Sequence, residues 1–196
     1  MKRAAGKFLS AFGFTQLVMI VAIGFALYLA YEPWRWGRVK DELHRRFPLV
    51  TDVIEPVKLD QWLRDVKADP AKQGPQILDA RTLPEFTVSH LPGARHVLVG
   101  MDLAEMGLLT TPENRDAELK HPIVCYCAVG YESSELIERL KRLGFTRVQM
   151  LEGGIFRWAN EKRPLVDASD AVASAVHSGQ SPYSGLLHRA ARAKVQ

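Results

Sequence analysis

Only two cysteines occur in 196 residues, at positions 125 and 127. That scarcity excludes a disulfide framework and a four-cysteine zinc site. No internal repeat is visible, which excludes solenoids and propellers. The basic excess that would mark a nucleic-acid binder is missing from most of the chain. Net charge is +4, but residues 1–50 hold eight Lys/Arg against three acids, leaving residues 51–196 at −1. No basic face for phosphates is expected there, and nucleic acid is not an expected partner. Charge is absent altogether from Phe8 to Tyr31, 24 residues that include LVMIVAIGFALYLA.

That uncharged run is long enough to cross a bilayer, which takes about 20 apolar residues. Lys2, Arg3 and Lys7 precede it, and Tyr28, Tyr31, Trp34 and Trp36 cluster at its far end as an interfacial aromatic belt would. A cleaved signal peptide would have a shorter apolar region and a small-residue cleavage site, which ALYLAYEP is not. A core helix would show an apolar stripe rather than an apolar circumference. The sequence therefore predicts a single-pass anchor in the lipid bilayer over residues 1–31 and a helical juxtamembrane connector over 32–49. Basic residues flank both ends, with Arg35, Arg38, Lys40, Arg45 and Arg46 after the run, so the side occupied by the remainder stays open.

From residue 50 to 166 short apolar runs alternate with amphipathic ones. LVTDVIE, QILDA, ARHVLV, PIVCY and RVQML read as strands. PVKLDQWLRDV, LPEFTVSH, TTPENRDAELK, a helix from Ser133 to Leu143 and GGIFRWANE read as helices or helical turns. That alternation predicts an α/β domain with a mostly parallel sheet flanked by helices. Residues 167–196 turn Ala- and Ser-rich and read as a loosely held tail, with GLLHRAARAK as a short basic surface helix.

Cys127 falls where the PIVCY strand ends and the next helix begins, with Gly130 in the joint. In open α/β sheets that edge binds ligands. Loop amides and the first free N–H groups of the helix would converge near the sulfur and favour thiolate. The residues alone leave two readings, a nucleophile or a small buried hydrophobe. Cys125 lies on the same strand face, where a resolving thiol would close a small, strained ring, so it reads as a core residue.

Three segments together resemble the rhodanese-type sulfurtransferases. ILDARTLPEFTVSHLPGARHV looks like that family's first signature, IVCYCAVGYESS is similar to its catalytic segment, and MLEGGIFRWANEKRPL to its closing one. The resemblance covers about residues 50–166 in the right order. It implies a rhodanese-like α/β fold around a central, mostly parallel five-stranded sheet, and a cysteine persulfide intermediate that needs no cofactor and no metal. It also implies that Cys127 carries the sulfur, that Ala128, Val129, Gly130, Tyr131, Glu132 and Ser133 form the loop cradling it, and that Asp79, Arg81, Glu85 and His90 support it. On the residues themselves, Asp79 and Arg81 are spaced to pair and pin the sheet edge, and His90 reads as a turn-fixing hydrogen bonder. Gly153 and Gly154 read as sites of close backbone passage, and Trp158 as core.

The loop departs from thiosulfate-using members of that family, which the resemblance gives a cation after the cysteine and an Arg before the loop-end Ser. Here those positions hold Ala128 and Glu132. A carboxylate near the sulfur opposes thiolate and repels a dianion, while loop amides pull the other way, so intermediate ionisation and weak thiosulfate use are expected. The expected function is a membrane-anchored sulfurtransferase with a small-molecule or protein sulfur donor and a thiol acceptor. The alternative is a non-catalytic rhodanese-like binding module, whose usual sign, loss of the cysteine, is lacking. A phosphatase or arsenate reductase of this fold would need a larger loop ending in Arg.

Overall fold

Alternating buried strands and amphipathic helices bury themselves most simply as a sheet covered on both faces. The computed structural model describes residues 2–109, 111–179 and 182–194, the side chains of residues 2–15, 17, 28, 29, 32 and 112 excepted. The chain divides into two compact units, residues 1–39 and 40–196. Helix α1 (Lys2–Arg46) runs unbroken through Pro33, so the expected anchor and connector are one 45-residue helix. Among the described residues no helix is long and apolar enough to cross a membrane. The transmembrane helix expected at Phe8–Tyr31 is therefore not shown. Part of it falls on side chains outside the description, and the apolar stretch that is described, residues 18–27, is shorter than a bilayer requires.

The second unit continues with β1 (Val53–Ile54), α2 (Pro56–Ala68), β2 (Gln76–Asp79), α3 (Leu83–Val88) and β3 (Ala94–His96). A 3₁₀ turn at Pro112–Asn114 leads into α4 (Arg115–Leu119), followed by β4 (Ile123–Tyr126), α5 (Tyr131–Arg142), β5 (Val148–Leu151) and α6 (Gly154–Asn160). The five strands form a parallel sheet in the order β1-β5-β4-β2-β3. All four residues of β4, the central strand, are buried. Cys125 pairs across to Leu78 on one side and Met150 on the other, as a core residue. Trp158 is fully buried and its Nε1–H donates to the Pro164 carbonyl at 2.8 Å.

Edges and ends account for the differences from the expected elements. The first and third strands are shorter than expected because both are sheet edges. ARHVLV stays in the sheet only to His96, with a last ladder bond from Val97 N–H to the Asp79 carbonyl at 2.9 Å. Helix α5 starts at Tyr131 instead of Ser133, because Gly130, at φ +133°, already makes the turn into it. Glu132 thus sits in a first helical turn. Leu143, the last residue of the predicted helix, is 41% exposed because the helix stops at Arg142, and Phe145 is buried after the Gly144 turn.

The expected loose tail is packed. β6 (Leu165–Val166) and β7 (Val172–Ala173) make an antiparallel ribbon, and Val176, Leu186 and Leu187 are almost fully buried. Asn160 secures the segment, its Nδ2–H donating to the Leu186 carbonyl and its Oδ1 accepting from His188 N–H, both at 2.8 Å. The predicted basic helix is instead two 3₁₀ turns, Ser184–Leu186 and Arg189–Ala191. Arg192 spans them, donating to the carbonyls of Ser184 and Leu187. A few well-placed leucines suffice to dock it, which is why average apolar content does not reveal it.

Candidate active site

The sheet order sets β4 beside β2, so the turns leaving their carboxyl ends, into α5 and α3, share one edge. Cys127 to Gly130 is the whole connection between β4 and α5. The Gly130 N–H donates to Cys127 Sγ at 3.0 Å. Ser133 Oγ lies 3.6 Å from the sulfur and 3.1 Å from the Gly130 carbonyl oxygen, and its single proton serves one of them at a time. A side chain at Gly130 would combine an unfavourable φ with a Cβ 2.6 Å from Leu43 Cδ1.

The loop is also held from behind. Ile155 and Phe156 donate their N–H groups to the carbonyls of Cys127 (2.9 Å) and Ala128 (3.2 Å). Gly154 makes this approach possible: at φ +55°, a Cβ there would lie 2.6 Å from the Ala128 carbonyl oxygen. The close passage expected at the Gly153–Gly154 pair is thus a grip of the α6 N-terminus on the cysteine loop.

Cys127 is fully buried. Burial pushes its pKa up to about 12, and the Glu132 carboxylate adds to this by charge and hydrogen bonding; Ser133 pulls the other way. The intermediate ionisation expected from the sequence does not hold, because desolvation outweighs the loop's donors. Cys125, also free and fully buried, has its pKa raised by burial and then by the neighbouring Cys127.

Asp79 and Arg81 form a buried pair at the end of β2. Arg81 Nη2 lies 2.5 Å from Asp79 Oδ2, Nε lies 2.9 Å from Oδ1, and Nη2 also donates to the Ser89 carbonyl at 2.6 Å. Burial opposes the charge of Arg81, but Asp79 outweighs it and the guanidinium pKa is raised. The guanidinium lies over the Tyr126 ring, and the Tyr126 hydroxyl accepts from Leu91 N–H at 3.1 Å. These contacts lock the ends of β2 and β4 together. Glu85 caps α3, its Oε2 accepting from the N–H (3.1 Å) and hydroxyl (2.6 Å) of Thr82. His90 is stacked on Phe86 at 3.9 Å, and its Nδ1–H donates to the Phe86 carbonyl. It fixes a turn and does not line the cavity above the loop.

That cavity, about 710 Å³, has Ala128, Val129, Tyr131 and Glu132 on one side and Ala80, Arg81, Thr82 and Glu85 on another. Leu98 and Val99, where the chain leaves the β3 edge, add an apolar wall. Among the described residues Glu42, Arg46, Pro182 and Tyr183 line it too, and nothing in the sequence pattern marks any of the four as a site residue. The Tyr183 hydroxyl meets that of Tyr131 at 2.7 Å and donates to Glu42 Oε2 at 3.0 Å, with the two tyrosine rings stacked. Bonds from Tyr131 and then Tyr183 lower the Glu42 pKa.

Comparison with known proteins agrees with this architecture. Residues 60–161 match the family described as the rhodanese-like domain, just over half of the chain. A probable adenylyltransferase/sulfurtransferase MoeZ of Mycobacterium tuberculosis is 30% identical over 111 residues, which are 57% of this chain and 25% of that protein. The chain thus spans about a quarter of that relative's length. A sulfurtransferase of Allochromatium vinosum is 31% identical over 90 residues, 46% of this chain and 77% of that one. Thiosulfate sulfurtransferase GlpE of Pseudomonas fluorescens is 30% identical over 87 residues, 44% and 72% of the two chains. The solution structure of a rhodanese-like domain from Anabaena sp. superimposes with a TM-score of 0.47 at 22% identity, covering 66% of this chain and 83% of that one. A domain match across more than half of the sequence, with a sulfurtransferase aligned over most of its own length, makes this chain a member of the rhodanese-like sulfurtransferase family.

Proposed function

We propose that the chain carries sulfane sulfur as a persulfide on Cys127. The observation that supports this most directly is the Gly130 N–H donated to Cys127 Sγ at 3.0 Å, in a loop that lines the cavity. The sulfur of Cys127 attacks the terminal sulfur of a donor R–S–SH, the donor's S–S bond breaks, and its electron pair leaves on the inner sulfur. The departing thiolate takes up the proton lost by Cys127, so the products are Cys127–S–SH and R–SH with no net oxidation. An acceptor thiolate then attacks the outer sulfur and releases Cys127. Intact mass spectrometry of the full chain after exposure to a persulfide donor tests this: one added sulfur mass, removed by a thiol reductant, is the expected result. The burial of Cys127 favours a second reading, a non-catalytic binding module, and absence of any adduct would select it.

Glu132 makes thiosulfate a poor donor in this reading. Repulsion between a carboxylate and a dianion several ångströms away, in a partly exposed cavity, is on the order of one to a few kcal/mol, or roughly tenfold or more in binding. Glu132→Arg should therefore raise thiosulfate turnover chiefly through KM. It should also shift the pH profile of Cys127 alkylation downward. Because the wild-type pKa is pushed up to about 12, wild-type alkylation should keep climbing above pH 9, where an ordinary thiol levels off. Unchanged thiosulfate KM and alkylation profile in the variant would remove Glu132 from donor choice.

The same proposal includes membrane attachment by the N-terminal segment. Val18, Met19, Ile20, Val21, Ile23, Phe25 and Leu27 are each at least half exposed. Together with the uncharged run from Phe8 to Tyr31, that surface calls for a non-aqueous surrounding. Full-length protein should stay with membranes through carbonate washing, and removal of residues 1–31 should release the remainder. A mature N-terminus near residue 31 would instead indicate cleavage.

A further inference from the structure

Among the described residues five charged side chains line the cavity, and their commitments differ. Arg81 is held by Asp79 and the Ser89 carbonyl, Glu85 by Thr82, and Glu42 by the Tyr183 hydroxyl. Arg46 is not held in this way. Its guanidinium lies 5.5 Å from the Phe47 ring centre and 6.0 Å from that of Tyr131, and among the described residues it forms no salt bridge. The rings position the cation, and Glu42, one turn earlier on α1, attracts it without forming a salt bridge, so its N–H donors stay open to a ligand. Arg46 belongs to the end of α1, outside the family-matching residues 60–161, so the family pattern gives it no role. The cysteine loop itself contributes no cation, with Ala128 and Glu132 at the positions where one was expected.

Resting on the sulfurtransferase reading above, we propose that Arg46 is the specificity residue of this site and binds the carboxylate of the sulfur donor. Arg46 offers a planar pair of N–H donors suited to a carboxylate. Glu132 on the same cavity penalises a second negative charge. The combination selects a small persulfide with one carboxylate, such as an α-amino-acid persulfide, over a dianion such as thiosulfate. A cavity of about 710 Å³ has room for such a donor in full.

The test compares two persulfides that differ in the carboxylate alone, cysteine persulfide and cysteamine persulfide, on the full chain. The wild type should favour cysteine persulfide in kcat/KM. Arg46→Gln should reduce that preference about tenfold, through KM for cysteine persulfide, and Arg46→Lys should restore part of it. A preference unchanged by Arg46→Gln, with the Cys127 adduct still forming, overturns this inference and leaves the sulfurtransferase reading standing. Failure of the wild type to form an adduct with either donor overturns both.

Discussion

Cys127→Ser should abolish the sulfur adduct completely, and Cys125→Ser should leave it in place. A serine hydroxyl does not form a persulfide, and in the described structure the Gly130 N–H and the Ser133 hydroxyl meet the sulfur of Cys127. Cys125 faces the sheet interior from the central strand, between Leu78 and Met150. Its replacement by Ser buries a hydroxyl in an apolar setting at about 1–3 kcal/mol of stability. The Cys125 variant should therefore melt earlier yet still gain one sulfur mass, whereas the Cys127 variant should gain none at any donor concentration. Equal loss in the two variants would mean that both thiols take part.

Arg81→Met should lower stability by about 3–5 kcal/mol, because it strands the Asp79 carboxylate in the interior. Asp79 is fully buried, and without Arg81's side chain it keeps only neutral partners, the Arg81 backbone N–H at 3.0 Å and the Tyr126 hydroxyl. The Ser89 carbonyl loses its donor as well. Against a total of about 5–15 kcal/mol for an ordinary domain, such a loss shows as a large fall in the denaturation midpoint. The double variant Asp79→Leu with Arg81→Met should regain much of it, since the charge that needed a partner is gone. If Arg81→Met shifts the midpoint no more than loss of an exposed pair such as Lys58–Glu55, the pair does not hold the sheet edge.

Much of the fold and part of the site were legible in local sequence. Strand and helix succession follows from hydrophobic period. The junction at Cys127 is marked by an apolar run, a glycine and the first apolar positions of α5. Asp79 and Arg81, two residues apart at a strand end, meet as their spacing suggests. The ionisation of Cys127 was not legible. Whether amide donors or desolvation prevails depends on how completely the surrounding chain excludes water, and here the sulfur has no exposure at all.

Local sequence is enough to set the alternation of β and α elements, the placing of one thiol at a strand-to-helix turn, and the glycines that let α6 grip that turn. These depend on neighbours a few residues apart, where side-chain period and backbone freedom act directly. That Glu42, Arg46 and Tyr183 share the cavity with the cysteine loop follows from long-range packing alone. Tyr183 meets Tyr131 from 52 residues away and Glu42 from 141, separations that leave no periodic trace. Such contacts form because a few buried leucines dock the C-terminal segment and Leu43 packs against Gly130, and both depend on surfaces that exist only after the sheet and its helices have assembled.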